Sequence, residues 1–327
     1  MRWIAWWALF AVLSPAPVAA QQRDERFYYP GSFNWSFLEH YPEAARLFNA
    51  FDYGHAVLYE ELLTHPEGPL ERLEQKRFDY LTGDLLLRPP RYAVAEEAVA
   101  PQYAKLAWRA KLVFERAHVL HRQIYDAYAD ERLTDAARTA LVERLTDWYL
   151  MDREYALAPA PKDMALMDEQ HYSQVFRQRY PKFNGLIWAY HWLQVGLYEP
   201  LLLAESPEGR RAGVQETVDR FWAMLKEPPA QLPSVMPMTS AVAPEFSRRH
   251  LRAALIFDNL HMLHDIISDI LLSDRVPRDQ KRRAIYAALD VFQHPTEQVI
   301  ELEHWWMMAD HQGGVEKMGG RAFPPRK

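Results

Sequence analysis

Apolar residues recur every three or four positions through most of this chain, and no stretch alternates with period two over a useful length. The first pattern predicts amphipathic helices and the second gives no strands, so the fold class is all-α. Helices are expected over about 43–64, 69–87, 102–129 and 134–150, and again over 182–204, 210–226, 245–273 and 277–292. Tyr41-Pro42 and Tyr180-Pro181 stand before the first helix of each set, and proline suits a first helical turn. Proline-rich connectors, 88–101 and 227–244, separate the shorter helix of each set from the next long one. Residues 185–203 are apolar or small except for His191, Gln194 and Glu199. That run is long enough to span a bilayer, but a helix buried on all sides fits it better, because its counterpart 47–63 carries Asp52, His55, Glu60 and Glu61.

The two sets are copies. Residues 98–126 align without gaps on 241–269 at an offset of 143, with 13 identities in 29 positions. Residues 37–63 align on 176–202 at an offset of 139, with ten identities in 27. Pro66-Glu67-Gly68 matches Pro207-Glu208-Gly209, and Pro89-Pro90 matches Pro228-Pro229. Landmarks that keep their order with a slowly drifting offset indicate a tandem duplication of a unit of about 140 residues. The expected architecture is a pseudo-two-fold symmetric helical bundle. One domain covers 21–327, built from repeats at about 28–165 and 166–310 with a short C-terminal tail.

Composition narrows the setting. Arg2, the apolar run Trp3–Leu13 and Val18-Ala19-Ala20 read as a cleaved signal over residues 1–20, and the expected location is the periplasm. Losing Arg2 leaves a net charge of −7, with no basic patch for nucleic acid, and no stable membrane span is expected once the signal is gone. The chain has no cysteine, which excludes disulfides, thiolate metal sites and thiol nucleophiles. The core, or a bound metal, must then hold the fold together.

Polar residues that recur where the helical pattern calls for apolar ones are the candidate chemistry. Glu60 matches Glu199, Glu115 matches Asp258, His118 matches His261, His121 matches His264, and Asp126 matches Asp269. Three residues turn an α-helix by about 300°, so Glu115 and His118 share one face, as do Asp258 and His261. Buried carboxylates and imidazoles are costly unless paired or bound to metal. A helix carrying Glu, then one carrying Glu-x-x-His, each present twice, resembles the ferritin-like di-iron and di-manganese carboxylate bundles in ligand type and order. The resemblance rests on six positions, with Asp258 in place of the second Glu. It implies metal ligation by Glu60, Glu115, His118, Glu199, Asp258 and His261. His121, His264, Asp126 and Asp269 would then orient those ligands.

The implied cofactor is a pair of metal ions, iron first, with manganese, zinc or copper as alternatives. The implied activity is that of an oxidase or oxygenase acting on a small molecule. Periplasmic metal storage is one alternative, and a metal-free helical interaction protein whose polar pairs only fix register is another. Two features stand apart from the repeated set. Asp52-x-x-His55 faces His191-x-x-Gln194 in the alignment, so any role there is one-sided. Glu301-x-x-His304 has no counterpart and reads as a solvated helix face.

Overall fold

A computed structural model describes residues 36–64, 70–93 and 95–323, so the expected signal segment and Pro66-Glu67-Gly68 lie outside the described residues. Every regular element among the described residues is helical, and the one β-contact is an isolated bridge between Lys162 and Val299. The principal helices are α1 (Pro42–Thr64), α2 (Trp108–Ala129), α3 (Asp135–Met151), α4 (Pro181–Gly196), α5 (Pro207–Met224), α6 (Leu251–Leu272), α7 (Lys281–Gln293) and α8 (Leu302–His311). No helix among them is long and apolar enough to cross a membrane.

Helices α1, α2, α4 and α6 make the centre. Helix α6 packs on both α1 and α2, and α4 packs on α1. The burial pattern explains why. Every residue of α4 from Phe183 onward is buried, and α6 is buried continuously from Ala253 to Leu272, so neither keeps a polar face. The outer helices cover them: α3 lies on α2, α5 on α4, and α7 on α6 and α2. The chain's end closes one side, where Trp192 Nε1–H donates to the Gly320 carbonyl at 2.6 Å. Local signals set several starts. The Thr134 hydroxyl accepts the Ala137 N–H at 3.2 Å, and the Ser206 hydroxyl accepts the Gly209 N–H at 3.0 Å with Pro207 in the first turn.

Three expected helices are broken. The stretch 102–129 divides at Ala107, and 245–273 divides at His250, giving short helices Pro101–Leu106 and Pro244–Arg249 before α2 and α6. Both junction residues leave the helical region at φ −131°, with ψ 45° and 54°. The stretch 182–204 divides after Gly196, because Pro200 has no N–H to return to that turn. Each connector also carries one helical turn, Glu96–Val99 and Thr239–Val242.

Candidate metal centre

The four carboxylates expected to bind metal are engaged elsewhere. Glu60 accepts the backbone N–H groups of Gln102 and Tyr103 at 3.0 Å each, and Glu199 accepts those of Glu245 and Phe246 at 2.9 Å each. Both therefore hold the exposed amides at the start of the short helices Pro101–Leu106 and Pro244–Arg249. Glu115 is one-third exposed and pairs with Lys111 at 2.7 Å. Asp258 accepts the Thr239 N–H, the Thr239 hydroxyl and Trp305 Nε1–H at 2.8, 2.6 and 2.9 Å. Burial raises the Asp258 carboxyl to about 7, and the Thr239 contacts work against that rise. The six expected ligands are thus not brought together in one group.

Asp126 and Asp269 are not beside the histidines either. Asp126 accepts the Phe37 N–H at 2.9 Å, and Asp269 accepts those of Gln174 and Phe176 at 2.7 Å each. They hold the starts of the short helices Ser36–His40 and Val175–Arg179. Glu301 and His304 are exposed, as the solvated reading of that pair expects.

What does converge is a set of histidines from the four central helices. His55 of α1, His118 and His121 of α2, His191 of α4, and His261 and His264 of α6 are all at most 3% exposed. Among the described residues, one group of three or more His, Asp or Glu side chains has its ligand atoms within 4.8 Å of one another: His55, His191 and His264. His55 Nε2 lies 3.1 Å from His191 Nε2, which lies 3.1 Å from His264 Nδ1. The helix of α1 fixes the first ring, since His55 Nδ1 is 2.8 Å from the Phe51 carbonyl one turn earlier. A carbonyl only accepts, so the His55 proton sits on Nδ1 and its Nε2 is a bare lone pair.

Protons satisfy this arrangement only in part. The two 3.1 Å contacts share the single nitrogen His191 Nε2. If that nitrogen donates to His55, it has no lone pair left to accept from His264, and its one N–H is at best shared between two acceptors. If it accepts from His264, two lone pairs face each other across the His55 contact. A cation placed among the three satisfies all of them, and tetrahedral coordination at the usual zinc–imidazole length separates neighbouring nitrogens by about 3.3 Å. The rings are also in the protonation state a metal requires. Burial lowers His55 to about 4, with His118 adding to the effect, and holds His191 and His264 well below the usual histidine range. The three-histidine group can accept a metal ion.

Other polar atoms around the group are unpartnered. Both ring nitrogens of His118 and of His261, Nε2 of His121 and of His264, Nδ1 of His191, and Oδ1 of Asp52 are buried without a hydrogen bond. His118 Nδ1 lies 3.3 Å from Asp52 Oδ1, while Asp52 Oδ2 is paired with Arg122. The His261 ring stacks on His191 at 4.1 Å, and His121 Nδ1 shares a 2.6 Å hydrogen bond with the Tyr198 hydroxyl.

Comparison with protein-family models, with curated proteins and with solved structures gives no match.

Of the three-histidine group, the repeated histidine pairs contain His264, expected as an orienting partner rather than a ligand. His55 and His191 were legible only as isolated polar residues in apolar helices. They belong to the one-sided set because the aligned segments carry a different residue type at each matching position.

Proposed function

We propose that this protein is an exported helical metalloprotein, built from two copies of one ancestral unit, that binds a transition-metal ion on His55, His191 and His264. The observation that carries the reading is the convergence of three buried imidazole nitrogens, with a pair of 3.1 Å contacts through one nitrogen to which protons can give at most one shared hydrogen. Three imidazole donors suit zinc, copper, iron and nickel, and without a carboxylate they are less suited to manganese. When bound, such an ion would keep positions open beyond its three protein ligands and supply Lewis-acid or redox chemistry there.

The chain's own contribution is orientation and exclusion of water. The Phe51 carbonyl fixes the His55 tautomer. Phe114 packs edge-on against the His264 ring at 4.2 Å, and the Tyr59 hydroxyl donates to the His264 carbonyl at 3.2 Å. An oxidase or oxygenase is the enzymatic form of the proposal, and periplasmic metal storage is its non-catalytic form.

Metal analysis of protein purified without chelator tests the reading. Bound metal is expected in the wild type and absent from His191→Leu. A wild type that takes up no iron, zinc, copper or cobalt would leave only the metal-free interaction protein. Oxygen consumption by the loaded protein separates catalysis from storage.

A further inference from the structure

His55, His191 and His264 are at most 2% exposed, so an ion needs a way in. Helices α4 and α6 offer none, since α4 from Phe183 and α6 from Ala253 are buried without interruption. What remains is the side where α1 and α2 meet through Asp52. On α2, Lys111, Glu115, His118 and Arg122 follow one another at spacings of four, three and four, which keeps them within about 60° of one helix face. That polar stripe runs from the surface to the centre. Glu115 near its outer end is one-third exposed. At the inner end Arg122 and His118 both meet Asp52, and the His118 ring centre lies 5.5 Å from that of His264 and 6.2 Å from that of His55.

The outer end is built around a positive charge. Lys111 Nζ lies 2.6 Å from Glu97 Oε2 and 2.7 Å from Glu115 Oε1, so carboxylates from two separate elements converge on one point. Glu97 belongs to the single turn Glu96–Val99, which packs on α1. The Lys111 side chain is only 3% exposed, and its ammonium lies 4.6 Å from the centre of the Trp108 ring. A lysine of a surface ion pair ordinarily trails in water, whereas this one is folded inward and closes the stripe. Behind it stands Glu96, 4% exposed, whose Oε2 is buried without a hydrogen bond. Burial holds the Glu96 carboxyl well above its usual range, and the charges of Glu115 and then Asp52 add to the rise, so Glu96 is within electrostatic reach of both ends of the stripe. The lysine thus occupies a point that two carboxylates prepare for a cation, and a third, unpartnered carboxyl lies inward of it.

We propose that Lys111 is a removable plug in a cation entry route, in which an incoming divalent ion replaces its ammonium between Glu97 and Glu115 and then passes Glu96, Asp52 and His118 to the three-histidine group. The exchange needs no proton transfer. Lys111 swings out on its flexible four-carbon stem with its charge retained, and the two carboxylates that shared one positive charge meet a divalent ion with two. Two carboxylates hold zinc or copper less well than three imidazoles do, so the ion moves inward and the lysine returns. The inference rests on the proposed metal at His55, His191 and His264 and concerns how it arrives.

The test is the rate of zinc(II) uptake by the full chain, stripped with a chelator and then mixed in a stopped-flow instrument with zinc and a zinc-sensitive dye, with final zinc content read in parallel. Glu97→Gln and Glu115→Gln should each load more slowly at low salt, the double variant by about tenfold, and added salt should slow the wild type toward them. Lys111→Met should load faster than the wild type. All of these should reach the wild-type zinc content. Glu97 is half-exposed, so Glu97→Gln keeps the test open should Lys111→Met not fold. Glu301→Gln, exposed and remote in sequence, should load as the wild type does. Wild-type rates in Glu97→Gln and Glu115→Gln, or equal slowing by Glu301→Gln, overturn the route and leave the metal centre standing. A folded Lys111→Met that loads no faster overturns the plug. A wild type that takes up no zinc, iron, copper or cobalt overturns the centre itself.

Discussion

Replacing His191 by leucine should change protein stability little without metal and by about 4 kcal/mol with it. In the chelated protein His191 is a burden. Its Nδ1 is buried without a hydrogen bond, and its Nε2 serves two contacts that must share at most one proton. Each unmet buried group costs about 1–3 kcal/mol, and leucine fills nearly the same volume in a wholly buried stretch of α4. Leucine also strips His55 Nε2 and His264 Nδ1 of their partner, so the effects offset and the chelated His191→Leu protein should lie within about 1–2 kcal/mol of the wild type. With metal at a thousand times its dissociation constant, the wild type gains about 4 kcal/mol and the variant gains none. The difference between the two proteins thus swings by about 4 kcal/mol, which moves the thermal midpoints by about six degrees relative to one another. Urea or thermal unfolding in chelator and in excess zinc measures it. A chelated variant destabilised by more than about 3 kcal/mol, with a wild-type midpoint indifferent to metal, would show that the histidines are a packed polar core and not a metal centre.

Glu60→Gln and Glu199→Gln should both leave metal content unchanged, because each carboxylate is bound to backbone amides of a short helix and a glutamine carbonyl can still accept them. Burial raises the Glu199 carboxyl to about 7, so the folded state keeps its proton between about pH 4.5 and 7 while the unfolded state has lost it. That stabilisation is present below pH 4.5 and is lost as pH rises through 7. Glu199→Gln should therefore gain on the wild type by at most about 3 kcal/mol between pH 4.5 and 8, and a difference independent of pH in urea melts would refute the assignment. A methyl group at Gly213 would sit 2.5 Å from Pro200 Cβ, backbone-bound on α5's neighbour. Gly213→Ala should cost about 1–3 kcal/mol in urea unfolding with metal content intact.

The helical class and the placement of most helices were legible because a period of 3.6 records which face each helix buries. The breaks at Ala107 and His250 were not, since neither position carries a glycine or proline. The backbone turns there while carboxylates from α1 and from the helix after α4 hold the preceding short helices, an interaction between residues more than 40 apart in sequence. The candidate ligands failed for a related reason. Glu-x-x-His places two side chains on one helix face, but spacing along a helix does not say which neighbour that face meets. Glu115 meets Lys111 and solvent, and Asp258 meets Thr239 and Trp305.

Repetition within a chain marks what both halves must do. Glu60 and Glu199 do the same thing, as do Asp126 and Asp269: each carboxylate binds amides at the start of a short helix. Those roles are architectural, since each fixes where a short helix begins. A cation among three imidazoles is different. If positions 52 and 55 matched 191 and 194 in kind, the centre would present two like half-sets. Histidine at 55 and 191, against aspartate at 52 and glutamine at 194, instead concentrates three imidazole nitrogens on one side of the centre. The informative polar residues are thus those in apolar helices that the other half does not repeat. By that criterion the apolar run 185–203, with His191 and Gln194 as its interruptions, carries more about the centre than the repeated Glu-x-x-His motif does.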